Sequence, residues 1–256
     1  MKLSIITPVL NEASGIAGFL RHLRARASTT EIIVIDGESN DGTFELASSL
    51  AGELSLRVMQ NRRGRAAQMN AGARAASGDI LWFVHADSRV PVDCERAIEQ
   101  TMEKPDVAAG CFRLRFPRSN YIYRISDSWG NLAVDLFGIA FGDHGIFCKR
   151  DHFFAIEGFP EVPVMEDAEF CRRIKGTGRM LQLPLEIETS PRRYARHGPF
   201  RTTFFYVLII VLYFCGASLP WLSRLHQRFT NQRPVERKSS KRFASTRHLA
   251  PIDRDG

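Results

Sequence analysis

The sequence contains no C-x-x-C pair and no cysteines at zinc-ligand spacing. Its five cysteines, at positions 94, 111, 148, 171 and 215, are dispersed and odd in number. A disulfide scaffold is therefore excluded, and free thiols in a reducing compartment are expected. No G-x-x-x-x-G-K-[ST] loop and no G-x-G-x-x-G after a strand occurs, which argues against an NTPase or a dehydrogenase. There is also no G-x-S-x-G elbow. The apolar N-terminal run is interrupted by Pro8 and Asn11-Glu12, with no small-residue cleavage site after it, so it reads as a strand and not a signal peptide.

Acidic residues are scarce in one region only. The chain has 256 residues and a net charge of +7, but residues 191–256 hold 13 Lys+Arg and 3 Asp+Glu. Residues 1–190 are slightly acidic. The basic excess thus belongs to the tail, and a broad nucleic-acid-binding face on the main domain is not expected. With 44% hydrophobic and 25% charged residues, the composition is that of a globular chain with a full core.

Alternating patterns organise the first half. Residues 2–8, 31–36, 56–59 and 80–84 read as strands. Residues 14–27, 43–50 and 65–76 read as helices, from apolar spacing at Ile16, Phe19, Leu20 and Leu23, a turn at Asn40–Thr43, and an Ala-rich run closed by Gly78. Unbroken apolar strands alternating with helices predict an α/β fold with a parallel sheet covered on both faces. Ligands of such sheets bind beyond the carboxyl ends of the strands. The polar groups at those ends are Asn11-Glu12, Asp36 and His85-Ala-Asp87. From residue 105 the pattern is mixed: strand character over 107–116, a helix over 121–137, a loop and strand over 141–148, a helix opening on acids over 165–174, and a strand over 181–189.

An acidic strand end suits a hard divalent cation held by one or two carboxylates plus substrate phosphates. Asp87 is the candidate. Five segments then occur in order: Ser4-Ile-Ile-Thr-Pro-Val-Leu-Asn-Glu12, Ile33-Val-Ile-Asp-Gly-Glu-Ser-Asn-Asp-Gly-Thr43, Gly64-Arg-Ala-Ala-Gln-Met-Asn-Ala-Gly72, Gly78-Asp-Ile-Leu-Trp-Phe-Val-His-Ala-Asp87 and Met165-Glu-Asp167. Together they resemble the family 2 glycosyltransferases of GT-A fold. Gly142-Asp-His-Gly-Ile-Phe147 and Thr189-Ser-Pro-Arg-Arg-Tyr194 resemble a bacterial subgroup associated with radical-SAM and selenodomain proteins. The resemblance covers about residues 1–225.

The resemblance implies an inverting, metal-assisted transfer of a sugar, of the hexosyltransferase type, from a nucleotide-diphosphate donor to an acceptor hydroxyl. Pro8, Asn11, Glu12 and Asp36 would form the nucleoside pocket. Gly64, Arg65 and Asn70 would lie along the donor. Asp87, with His85, would hold Mn²⁺ or Mg²⁺. Asp167 would be the general base beside Glu166, whose charge would raise its pKa. Asp143 and His144 would touch the acceptor, and Arg173 matches the family's arginine six positions after the acid pair. Two departures stand out: Gly37 replaces the family's second aspartate after strand two, and His85 replaces the first aspartate of the metal motif. Imidazole suits transition metals better than Mg²⁺, so His85 favours Mn²⁺. Arg192-Arg193 contacts either phosphate or lipid headgroups. Trp82, Phe83 and Trp129 read as core.

Residues 204–222 are uncharged over 19 positions and flanked by arginines on both sides. Basic flanks on both sides disfavour a span. An interfacial helix on the cytoplasmic leaflet is the leading expectation; a span and packing against the catalytic domain are the alternatives. The expected organisation is a GT-A domain over 1–200, a hydrophobic or amphipathic helical segment over 201–229 and a disordered basic tail over 230–256, in a cytoplasmic, membrane-peripheral enzyme. A sugar nucleotidyltransferase is a rival, disfavoured because Pro8-Val-Leu-Asn-Glu12 is not a Gly-rich basic loop. A catalytically altered membrane-bound scaffold is the non-enzymatic rival.

Overall fold

The computed structural model describes residues 1–117, 121–192 and 198–230. The first half follows the predicted alternation: β1 (Leu3–Val9), α1 (Ile16–Arg26), β2 (Glu31–Asp36), α2 (Thr43–Ser49), β3 (Leu56–Gln60), α3 (Arg65–Ala75) and β4 (Ile80–Phe83). Then come β5 (Ser88–Arg89), α4 (Cys94–Met102), β6 (Val107–Arg115), α5 (Tyr121–Phe137), a 3₁₀ turn (Gly142–His144), β7 (Phe147–Lys149), α6 (Arg150–Ala155), α7 (Glu166–Ile174) and β8 (Arg179–Thr189). Two helices follow, α8 (Pro199–Phe214) and α9 (Leu219–Thr230).

One eight-stranded sheet carries the fold, in the order β3-β2-β1-β4-β7-β6-β8-β5. The four early strands are parallel. Strand β7 then inserts antiparallel between β4 and β6. Residues of each early strand alternate between the two faces, as the period of two requires. Ile5, Val34 and Trp82 pack on one side with Leu20 and Ile98. Ile6, Ile33, Ile35 and Phe83 pack on the other with Met69 and Phe170. Trp82 and Phe83 are therefore core, as expected. Four cysteines are buried thiols and Cys215 is exposed.

The structure accounts for one departure from the family pattern. A Cβ on Gly37 would lie 2.8 Å from the Gln68 side chain. Gln68 is buried, and its amide N–H groups donate to the carbonyls of Val9 and Ile35, each at 2.8 Å. It thereby ties the ends of β1 and β2 together and fills the space that a residue-37 side chain would need. Because moving Gln68 aside would break these two buried hydrogen bonds, Gly37→Ala is expected to destabilise the fold by roughly 1–3 kcal/mol, as overpacked sites do. A urea unfolding midpoint unchanged from the parent would contradict this.

The apolar stretch 204–222 is not one helix. It is broken over residues 215–218, where Gly216 has φ +85, into the hairpin α8–α9. Helix α8 has 16 residues, about 24 Å of rise, short of the roughly 30 Å of a bilayer core. Among the described residues no helix is long and apolar enough to cross a membrane. The spanning alternative is corrected accordingly. Phe205 and Ile209 pack against Leu222 and Phe229. The Tyr213 hydroxyl donates to Glu169 on α7 at 2.6 Å, and Phe214 stacks near Phe137 of α5 with centroids 4.9 Å apart. The hairpin is thus packed on the catalytic half along one side, while Phe200, Phe204 and Trp221 stay exposed. The basic tail from residue 231, and Arg193, lie outside the described residues.

Candidate active site

Strand β4 ends in the buried core, and the chain turns out of the sheet through His85-Ala-Asp87. His85 is buried, with Nδ1 3.3 Å from Asp143 Oδ1. Asp143 stands on the 3₁₀ turn before β7, the strand hydrogen-bonded to β4. Sheet order therefore brings together two residues 58 positions apart. Ligand atoms of His85, Asp87 and Asp143 lie within 4.8 Å of one another. This is a three-donor set of two hard carboxylates and an imidazole, suited to Mn²⁺ or Mg²⁺. Sequence reading placed Asp143 with the acceptor; the structure sets it beside His85 and Asp87, in a group that could hold a cation.

His144 goes the other way from its neighbour. It is 1% exposed, and the Phe141 N–H points to its Nδ1 at 3.3 Å. Burial pushes its pKa down to about 4, against which the nearby Asp143 charge works only in part. The imidazole is neutral at physiological pH, and it supplies shape to the cavity wall and not charge.

Helix α7 presents the acid pair. Met165, just before it, has φ +65, a conformation costing an L residue on the order of 1–3 kcal/mol and concentrated at functional sites. Glu166 and Asp167 follow in the first turn, 5% and 3% exposed, where the helix dipole favours carboxylates. Arg65, at the start of α3, pairs with Glu166 and lies 3.8 Å from Asp167 Oδ2. The Gly142 N–H donates to the same oxygen at 2.9 Å. A side chain at 142 would collide with the His85 ring, so only glycine lets the backbone pass between the imidazole and Asp167. Asp167 Oδ1 is buried and has no hydrogen-bond partner among the described residues. Burial raises the Asp167 pKa above the ordinary carboxylate range. Glu166 adds to the rise, as anticipated, while Arg65, His85 and the Gly142 N–H oppose it. A raised, half-satisfied carboxylate at a cavity wall has the properties of a proton acceptor.

The residues expected on the donor side surround the ends of β1 and β2. Asp36 is 1% exposed; its Oδ2 accepts the Ser39 N–H at 3.0 Å, and its Oδ1 has no partner among the described residues. Asn11 has φ +54, and its Oδ1 accepts the Asn40 N–H at 3.0 Å. Pro8 lies within β1, half-buried. Glu12 receives Arg192 bidentately, at 2.6 and 2.8 Å, and the same guanidinium reaches Asp87 Oδ2 at 3.3 Å. Sequence reading left Arg192 between phosphate and lipid. The structure sets it between the carboxylates assigned to nucleoside and metal, 180 residues from Glu12.

Three residues stand in settings that the sequence does not announce. The Asn70 amide is buried and spans the Phe159 backbone, accepting that N–H at 2.9 Å and donating to that carbonyl at 2.8 Å. Arg173 is exposed on α7 and is not among the cavity-lining residues. Trp129, expected in the core, is 54% exposed and lines the cavity. That cavity, of about 630 Å³, runs from Gly64, Arg65 and Asp87 past Asp143 and Asp167 to helices α5, α8 and α9.

A half-parallel sheet with carboxylates gathered at its carboxyl edge, beside a covered acid pair, is an arrangement of the GT-A type of fold. The chain belongs to glycosyl transferase family 2, whose family description matches residues 4–157, and it is an enzyme of that glycosyltransferase type. It is 31% identical over 121 residues to an undecaprenyl-phosphate 4-deoxy-4-formamido-L-arabinose transferase of Aeromonas hydrophila, covering 44% of this chain and 37% of the relative. It is 28% identical over 115 residues to a dolichol-phosphate mannosyltransferase of Pyrococcus furiosus, covering 43% and 33%. The chain thus spans about a third of the length of these curated relatives. Among solved structures, it is similar in fold to the mannosyltransferase PcManGT of Pyrobaculum calidifontis in complex with GDP-Man and Mn²⁺. The TM-score is 0.65 at 24% identity, over 89% of this chain and 70% of that one. S. aureus TarS 1–349 in complex with UDP-GlcNAc gives 0.59 at 16% identity, over 83% and 67%.

Proposed function

We propose that this chain transfers a sugar from a nucleotide-diphosphate donor to an acceptor hydroxyl with inversion, assisted by a divalent cation. The observation that carries the reading is Asp167: a buried carboxylate of raised pKa with one unpartnered oxygen, set in the same cavity as Asp87 and Asp143. Asp36, Asn11, Pro8 and Glu12 form the nucleoside side, with Gly64 and Arg65 along the donor. His85, Asp87 and Asp143 would hold the cation, which when bound would neutralise charge on the departing diphosphate. The acceptor oxygen bonds to the anomeric carbon as its proton passes to Asp167. The bond from that carbon to the diphosphate oxygen breaks, and its electron pair leaves with the nucleoside diphosphate. Arg65 and the Gly142 N–H orient the Asp167 carboxylate for this step. PcManGT, whose structure is described in complex with GDP-Man and Mn²⁺, supports the donor class.

The finer assignment follows the same motifs: the chain is placed in the radical-SAM-associated subgroup, with the GT-A domain over 1–200, the hairpin segment over 201–229 held peripherally at the cytoplasmic leaflet, and the tail beyond. Replacement of the first metal-motif aspartate by His85 does not point to an inert scaffold, because Asp143 restores a second carboxylate. The reading is tested by thermal stability against UDP, GDP and their sugars, with and without Mn²⁺. One base is expected to stabilise the protein, more so with Mn²⁺, by roughly 2.7 kcal/mol at 100 times its dissociation constant. A flat response on folded protein would overturn it.

A further inference from the structure

The cavity extends well past the reacting groups, and its character changes along its length. Near Arg65, Asp87 and Asp167 it is charged. Its far wall comes from α5, α8 and α9. Among the lining residues of those three helices, all but His226 are uncharged, and Trp129, Tyr206, Val207, Ile209 and Ile210 dominate. A free sugar or a polar peptide held there would leave its hydroxyls or amides against aliphatic side chains, at a cost for each unpaired group. The apolar surface does not stop at the cavity. Leu132 and Leu136 on α5, and Phe204 and Val211 on α8, are 41–65% exposed. Helices α8 and α9 also carry Arg201, Arg224 and Arg228 and no acidic residue. An apolar face whose α8–α9 side is edged by cations alone, with the acids Asp127 and Asp135 confined to α5, complements the chains and anionic headgroups of a lipid leaflet. Tyr213 and Glu169 bolt this wall to α7, the helix that carries Asp167.

We propose that the acceptor is a hydroxyl-headed amphiphile drawn from a lipid leaflet. Its hydroxyl lies at Asp167, and its aliphatic chain runs along Trp129, Val207 and Ile210 and out over the α5–α8 face. This rests on the transferase reading above and names the acceptor class for that site.

The test is the affinity of the full chain for n-alkyl glucosides of increasing chain length below their micelle concentrations, read by calorimetry. The dissociation constant is expected to fall with each methylene, by up to about fourfold. Val207→Glu, which places a charge on the cavity wall, is expected to flatten that dependence. Val92→Glu, at an exposed valine outside both the cavity and the α5–α8 face, is expected to preserve it. Nucleotide binding with Mn²⁺ is measured in parallel and should be unchanged in both variants, which shows that they fold and keeps the donor reading separate. An affinity independent of chain length while nucleotide still binds would overturn the amphiphile assignment alone. So would a dependence untouched by Val207→Glu, which would place the chain elsewhere. Flat affinity with concentration-dependent dimerisation in sedimentation would assign the apolar face to a second copy and equally overturn it.

Discussion

Asp167→Asn is expected to lower kcat by about 10²–10⁴-fold, the range that a general base contributes, while leaving nucleotide affinity within about twofold. The substitution keeps the side-chain shape, and an amide can still accept the Gly142 N–H that Asp167 Oδ2 now receives. It removes the lone pair that would take the acceptor proton. Glu166→Gln should cost less, since Glu166 is held by Arg65 and acts on Asp167 through its charge. The pH profile carries the same information. Asp167 is buried and its pKa raised, and it accepts a proton only when ionised. Activity should therefore fall as pH drops through a value above the ordinary aspartate range near 4. That acid limb should vanish in whatever activity Asp167→Asn retains. Single-turnover rates across pH would check both; an undiminished rate in Asp167→Asn would remove Asp167 from the chemistry.

Asp87→Ala and Arg192→Ala are expected to move Mn²⁺ affinity in opposite directions when no nucleotide is present. Asp87 offers the cation a carboxylate, and its loss should weaken binding at least about tenfold, or 1.4 kcal/mol. Arg192 places a fixed positive charge 3.3 Å from that same carboxylate. A unit charge about 4 Å from a divalent cation repels it by up to about 8 kcal/mol at a surface-like dielectric. The Arg192 side chain is 52% exposed, so solvent screening reduces this to on the order of 1 kcal/mol. Removing it should tighten Mn²⁺ binding roughly three- to tenfold. Calorimetric titration of Mn²⁺ into both variants decides the matter. Weaker binding in Arg192→Ala would mean that the guanidinium orients Asp87 for the cation instead of competing with it.

Much of the site was legible because its parts are local in sequence. Glu12, Asp36 and Asp87 each follow a strand whose apolar run is visible, and strand ends in a parallel α/β sheet share an edge. The acid pair opens a helix with its apolar residues spaced for one buried face. Other surroundings were not legible, because a residue type is compatible with two environments. Asn70 sits on α3 among donor-side motifs, yet both halves of its amide are consumed by Phe159, 89 positions away. Trp129 has the spacing of a packed helix, but the face it occupies turns toward the cavity. The uncharged run over 204–222 has the length of a span, and the break at Gly216 makes it a hairpin.

What the sequence by itself determined is the alternation of strands and helices, the two-faced core and the set of carboxylates at the strand ends. Those follow from periodicities of two and 3.6 residues and from the chain's own direction, which need no knowledge of what packs against what. Tertiary structure alone decided the partnerships. Insertion of β7 beside β4 brought Asp143 to His85, so the candidate cation group gained a second carboxylate from another segment. The passage from β8 into residue 192 laid a guanidinium between Glu12 and Asp87, and folding of the last two helices onto α5 and α7 turned an apolar run into a cavity wall. Each of these depends on strand order and on contacts between residues far apart in the chain, and no local pattern encodes them.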